Sequence, residues 1–189
     1  MKKVFFIGLV VISFIFTGCD NSSSIDSSVL AKVKIEQEDQ PFEEKSFVLL
    51  TTDEKFISFN STKEGLSFDE FKGQKAVLLD IFATWCPPCI ESIPTLKEIK
   101  EKNKDSLEIV SVLFQDEKTV EEMKAFIKEY EINYPITMGE ENQKIIEDLN
   151  VQKVPEMFLF SKDGRFVHRF VGKASKEELE KYLKIAIEN

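Results

Sequence analysis

Ala76-Val77-Leu78-Leu79-Asp80-Ile81-Phe82-Ala83-Thr84-Trp85-Cys86-Pro87-Pro88-Cys89-Ile90 joins a near-continuous apolar run to two cysteines separated by two prolines. The run leaves no polar face for water, so it reads as a strand covered on both sides. The cysteines follow immediately, at the start of a helix expected from about Pro87 to Asn103 and kinked by Pro94. In that position one thiolate can attack a disulfide while the second, a turn away, resolves the mixed intermediate. The chemistry this spacing supports is thiol-disulfide exchange.

Working outward, strand and helix signals alternate. Phe47-Val48-Leu49-Leu50 and Phe56-Ile57-Ser58-Phe59 flank the polar Thr52-Asp53-Glu54-Lys55 and predict a hairpin. Leu107 to Phe114 predicts a second buried strand, and Val120, Met123, Phe126, Ile127 and Tyr130 recur at helical spacing. That stripe is core packing, not a cofactor box. A short strand near Tyr134 to Met138, a helix from Asn142 to Leu149 and strands Met157–Phe160 and Phe166–Phe170 follow, the last two joined at Lys162-Asp163-Gly164. The final helix opens on Ser175-Lys176-Glu177-Glu178, a capping-box pattern, and presents Leu179, Tyr182, Leu183, Ala186 and Ile187 on one face. The alternation predicts an α/β sandwich.

The 189 residues are enough for one domain of ordinary size with an N-terminal remainder. Lys2 and Lys3 precede a 13-residue apolar run, Val4 to Phe16, and then Thr17-Gly18-Cys19. A helix of that length spans about 20 Å against a hydrocarbon core of roughly 30 Å, which fits an export signal better than a spanning helix. Phe16-Thr17-Gly18-Cys19 also resembles a bacterial lipobox, with phenylalanine where leucine is usual; cleavage before a lipidated Cys19 and an uncleaved signal anchor both remain open. Either way the folded part is expected outside the cytoplasm and held at a membrane, as a bacterial lipoprotein facing the periplasm or the outer face of the cytoplasmic membrane. The expected division is a signal at 1–18, a lipidated cysteine and flexible tether at 19–45, and one domain at 46–189. Asp20 to Ser28 is too polar and serine-rich to order itself.

Cysteine usage sharpens the reading. The chain has three cysteines, and lipidation of Cys19 leaves only Cys86 and Cys89 as thiols. Their loop is too short to contribute much as a staple. The formal net charge is −9, and −11 once Lys2 and Lys3 leave with the signal, so nucleic acid is excluded as a natural partner.

Trp85-Cys86-Pro87-Pro88-Cys89 after a buried strand, Pro94 five residues beyond and Val154-Pro155 before another strand together resemble thioredoxin. The N-terminal hairpin, Phe68-Asp69-Glu70-Phe71-Lys72-Gly73 before the central strand, and an extra strand-helix unit near Leu107 to Tyr130 resemble the membrane-anchored TlpA/ResA type. The resemblance covers about Phe47 to the C-terminus. It implies a thioredoxin-like fold, a central mixed sheet flanked by helices, with an N-terminal hairpin and an inserted strand-helix unit. It further implies a cis Val154–Pro155 peptide beside the disulfide where substrate backbone docks, with Trp85 and Glu156 in the same binding region. Implied partners are protein thiols and disulfides, apocytochrome c or other exported proteins among them, with electrons from a membrane thiol carrier. No cofactor beyond the Cys86–Cys89 disulfide is implied.

Residue chemistry adds to this. At the helix N-cap Cys86 gains from the dipole and unpaired N–H groups, which makes it the expected nucleophile and Cys89 the resolving thiol. Pro87 and Pro88 delete two of those donors, and the acidic surface acts in the same sense. The expectation is a modestly depressed Cys86 pKa and a reducing couple. Asp80 is an anomaly in an apolar strand; it is either a proton shuttle for the resolving thiol, as the resemblance implies, or an end-of-strand carboxylate reaching solvent. Glu156 stands where the family usually has threonine, and could contact substrate, raise the cysteine pKa or simply be solvated. His168 reads first as a packed or surface histidine. Together with Cys86 and Cys89 it would supply at most three ligands, which leaves a copper-relay module as a reading from another class. A general disulfide oxidase or isomerase, and an inert binding lipoprotein, are the remaining alternatives. A peroxidase is set aside, because Ala83 stands where its threonine would be.

Overall fold

The computed structural model describes residues 42–188; the predicted signal, Cys19 and most of the predicted tether lie outside them. At the tether's described end, Lys45 already exchanges hydrogen bonds with Ser61, its N–H donating to Ser61 Oγ at 2.8 Å. The chain then forms β1 (Ser46–Thr51), β2 (Phe56–Thr62), β3 (Gly65–Phe68), β4 (Ala76–Phe82), α1 (Pro87–Lys102), β5 (Leu107–Leu113) and α2 (Val120–Glu129). It continues through β6 (Ile136–Met138), α3 (Glu141–Asp148), β7 (Glu156–Phe160), β8 (Phe166–Val171) and α4 (Lys176–Glu188). All eight strands join one mixed sheet in the order β3-β2-β1-β6-β5-β4-β7-β8, with β4, β5 and β6 mutually parallel. This is the α/β sandwich the alternation predicts and the thioredoxin-like architecture the resemblance implies.

Every residue of β4 and β5 is buried, as their continuous apolar runs require of strands covered on both faces. On one face Leu79, Ile81, Val110, Phe158 and Phe160 pack with Ile145 and Ile146 of α3 and with Phe47, Leu49, Ile57 and Phe59 of the first two strands. On the other, Leu78, Ile109 and Leu159 meet Leu96 and Ile99 of α1 and Leu179 and Leu183 of α4. A third cluster, at the end where β4 feeds α1, contains Phe82, Cys86, Cys89, Ile93, Met123 and Phe126.

β1 and β2 form the predicted hairpin, and the structure extends it. With β3 they form a three-stranded meander that pairs into the main sheet through Leu50 opposite Met138 and Thr51 opposite Thr137. The meander also curls back on the β7–β8 turn: Leu66 N–H donates to Gly164 O at 2.9 Å and Phe166 N–H to Glu64 O at 2.8 Å. Gly164 has φ +84°, and a Cβ there would lie 2.5 Å from Leu66 O, so only glycine permits this approach. β3 has just four residues and no apolar run of its own; the pairing and this closure create it. Thr119 and Glu122 form a reciprocal capping box on α2, while at α4 the Ser175 hydroxyl accepts from Glu178 N–H. Among the described residues, no helix is long and apolar enough to cross a membrane.

Candidate active site

β4 ends at Phe82, and Ala83 to Trp85 turn the chain into α1 with Cys86 as N-cap, φ −99° and ψ 103°. The Cys86 carbonyl accepts from Cys89 and Ile90 N–H at 3.1 and 3.2 Å, and the Cys89 N–H also reaches Cys86 Sγ at 3.3 Å. Pro87 and Pro88 occupy the first two helical positions, so Cys89 supplies the first backbone donor the helix can aim at that sulfur. Cys86 and Cys89 are joined as a disulfide and are 3% and 4% exposed. Helix α1 passes through Pro94 and keeps Cys89, Ser92, Ile93, Leu96 and Ile99 on its buried face, holding the pair against the sheet.

The loop after β5 braces the motif. Asp116 Oδ2 accepts from Thr84 N–H at 2.8 Å and from Thr84 Oγ1 at 2.7 Å, and Gln115 O accepts from the Trp85 indole at 3.1 Å. Trp85 nevertheless remains 57% exposed beside the cysteines. These braces escaped sequence reading: Gln115 and Asp116 lie thirty residues on, and the only signal was that a polar pair follows a buried strand.

Asp80 lies on the face of β4 shared with Leu78 and Phe82, the face that carries α1 and the cysteines. It is 5% exposed, which corrects the alternative of a carboxylate reaching solvent. Ser111, directly opposite on β5, donates its hydroxyl to Asp80 Oδ2 at 2.8 Å. Burial pushes the Asp80 carboxyl up to about 6, the Ser111 hydrogen bond pulling the other way. A group poised there can hold or release a proton near neutral pH.

The Val154–Pro155 peptide is cis, and Val154 packs against the cluster that holds the cysteines. Gly172 N–H donates to Pro155 O at 2.9 Å, tying this segment to the end of β8. Glu156 is not solvated: it is 3% exposed, pairs opposite Ile81 on the reverse face of the sheet, and is ion-paired with Arg169. The reading of Glu156 as a solvated carboxylate, one of those left open, is thus corrected, because the strand turns the side chain inward and Arg169 satisfies it.

His168 sits opposite Leu159 on β8, its ring stacked 3.6 Å from Tyr182 and edge-on to Phe170. Leu159 is level with Leu78, so His168 lies two strands over and some five residues, roughly 17 Å, down the sheet from the turn into Cys86. The structure therefore does not bring the three residues of the copper reading together. Among the described residues, no group of three or more His, Cys, Asp or Glu side chains could hold a metal ion.

Residues 42–185 match the Redoxin family. A thiol-disulfide oxidoreductase ResA of Bacillus thuringiensis subsp. konkukian is 34% identical over 129 residues, 68% of this chain and 73% of that protein. The thioredoxin-like protein YneN of Bacillus subtilis is 32% identical over 121 residues, 64% of this chain and 69% of that protein. The crystal structure of the exposed lipoprotein thioredoxin Etrx1 of Streptococcus pneumoniae superposes with a TM-score of 0.59 at 25% identity, covering 75% of this chain and 99% of that one. The disulfide at the N-terminus of α1 thus has a family to match its geometry: the chain belongs to the Redoxin family and, within it, to the ResA-type thiol-disulfide oxidoreductases.

Proposed function

We propose that this oxidoreductase works outside the cytoplasm, tethered to a membrane, as a reductant of disulfides in particular exported proteins, with apocytochrome c a candidate client. The observation that carries the reducing direction is the double proline at the start of α1, which leaves Cys89 as the first backbone donor toward the Cys86 sulfur. A thiolate so sparsely stabilised makes its dithiol form a good electron donor. In the reaction the Cys86 thiolate attacks one sulfur of a partner disulfide, giving a mixed disulfide and a partner thiolate that takes up a proton. The Cys89 thiol then passes its proton to the Asp80 carboxylate and attacks Cys86 Sγ, releasing the second partner thiol and forming the Cys86–Cys89 disulfide. Partner backbone docks along Val154–Pro155, with Trp85 forming the other wall. A membrane thiol carrier restores the dithiol.

Equilibration with a glutathione series is expected to place the couple near thioredoxin's potential of about −270 mV; a value near the −120 mV or so of strong oxidants would overturn the reductant reading. The anchoring reading rests on Phe16-Thr17-Gly18-Cys19. Cells producing the full chain are expected to hold it in the detergent phase on partitioning, and Cys19→Ser is expected to move it to the aqueous phase. Retention of the variant in detergent would favour an uncleaved signal anchor instead.

A further inference from the structure

Glu156 and Arg169 form a half-buried ion pair that the exchange chemistry does not use: the carboxylate is sealed at 3% exposure, and the Arg169 side chain reaches solvent at 37%. Glu156 Oε2 accepts from both Nε and Nη2 of Arg169, the Nε contact at 2.8 Å. The guanidinium also lies 5.1 Å from the Phe158 ring centroid. Glu156 pairs with Val171 across β7–β8, and Arg169 stands two residues away on the same strand, so the ion pair is a diagonal brace between the two strands. The residue immediately before Glu156 is Pro155, whose carbonyl accepts from Gly172 N–H on the far side of Val171. The segment that reaches the cysteine cluster through Val154 is therefore held to β8 at two points, one polar and one ionic.

Stability alone is a weak reason for such a pair. Burying the Glu156 carboxylate offsets much of its attraction to Arg169, and apolar residues of similar size often do as well; a buried carboxylate does, however, penalise any arrangement that separates it from its cation. Here that penalty falls on movement of Glu156, and hence of Pro155. We infer that Glu156 and Arg169 are positioning residues that hold the Val154–Pro155 segment in register for a protein substrate. This rests on the reading that partner backbone docks on that segment. The Glu156 carboxylate itself faces away from the disulfide, on the side of the sheet shared with Ile81, and acts through Pro155.

The test compares wild type, Glu156→Gln and, as a variant free of an uncompensated charge, Glu156→Met/Arg169→Leu, with insulin as protein substrate and oxidised glutathione as small one. Both variants are expected to raise KM for insulin about fivefold or more with kcat within about twofold, and to leave the glutathione rate and the redox potential unchanged. Amide exchange at Gly172 is expected to quicken about tenfold while strands β4 and β5 keep their protection. Wild-type exchange at Gly172 in both variants overturns the proposal, as does a fall in the glutathione rate matching that for insulin. If insulin KM stays constant while Gly172 exchange quickens, it is the docking reading that fails.

Discussion

A Cys89→Ala variant is expected to accumulate mixed disulfides between Cys86 and client proteins in cells, and Cys86→Ser to accumulate none. Cys86 caps α1 and receives the Cys89 N–H, whereas Cys89 lies inside the first turn; both pack in the cluster of Phe82, Ile93 and Met123. Only the capping sulfur combines helix-terminus stabilisation with a place beside exposed Trp85. In the proposed mechanism attack begins at Cys86, and without Cys89 the first intermediate has no internal resolving thiol. Both single variants should lose catalytic insulin reduction by about a thousandfold or more, because the two residues act as one unit. Electrophoresis without reductant, followed by identification of the trapped proteins, reads the result. Adducts forming in Cys86→Ser instead would reverse the assignment, and trapped proteins without a cysteine pair of their own would overturn the reductant reading.

The second large effect concerns Asp80, and it runs in opposite directions for stability and for rate. Its carboxyl is raised from 3.8 to about 6 in the folded chain by burial. The folded state therefore binds the proton more tightly than the unfolded state does. Well below pH 3.8 both states are protonated and there is no cost. The cost grows as pH rises from about 4 to 6 and is fully present above that, on the order of 3 kcal/mol. Asp80→Asn removes it while keeping an acceptor for Ser111, so the variant is expected to melt several °C higher than wild type at pH 7.5 and at the same temperature at pH 3.5. If Asp80 takes the Cys89 proton as proposed, the resolving step should meanwhile slow by about a hundredfold at neutral pH and lose its rise through pH 6. Thermal melts at both pH values and stopped-flow rates on a preformed mixed disulfide check the two halves. Equal melting temperatures at pH 7.5 would mean that Asp80 is not desolvated as described; an unchanged rate profile would remove its proton role.

These predictions draw on residues of different legibility. Cys86, Cys89, Trp85 and Pro155 announce themselves because their chemistry and spacing are local, and the boundaries of α1, β5 and α4 fall within a residue or two of their hydrophobic periods. Asp80 is conspicuous because a carboxylate in an apolar strand needs a reason. Ser111, Gln115, Asp116 and Arg169 carry no such mark. Each is an ordinary polar residue until strand pairing or loop packing sets it beside Asp80, Trp85, Thr84 or Glu156.

By itself, then, the sequence determined the α/β alternation, the exchange motif and the identity of its two sulfurs, because period, capping and proline chemistry act over a few residues. Only the tertiary structure decided that the first strands close over the sheet, that Asp80 is sealed from solvent against Ser111, that Glu156 turns inward to Arg169 and that His168 stacks on Tyr182 far from the cysteines. All four depend on register between strands distant in the chain. A register shift of one residue sends a side chain to the opposite face, and no local pattern specifies that pairing for a lone polar residue.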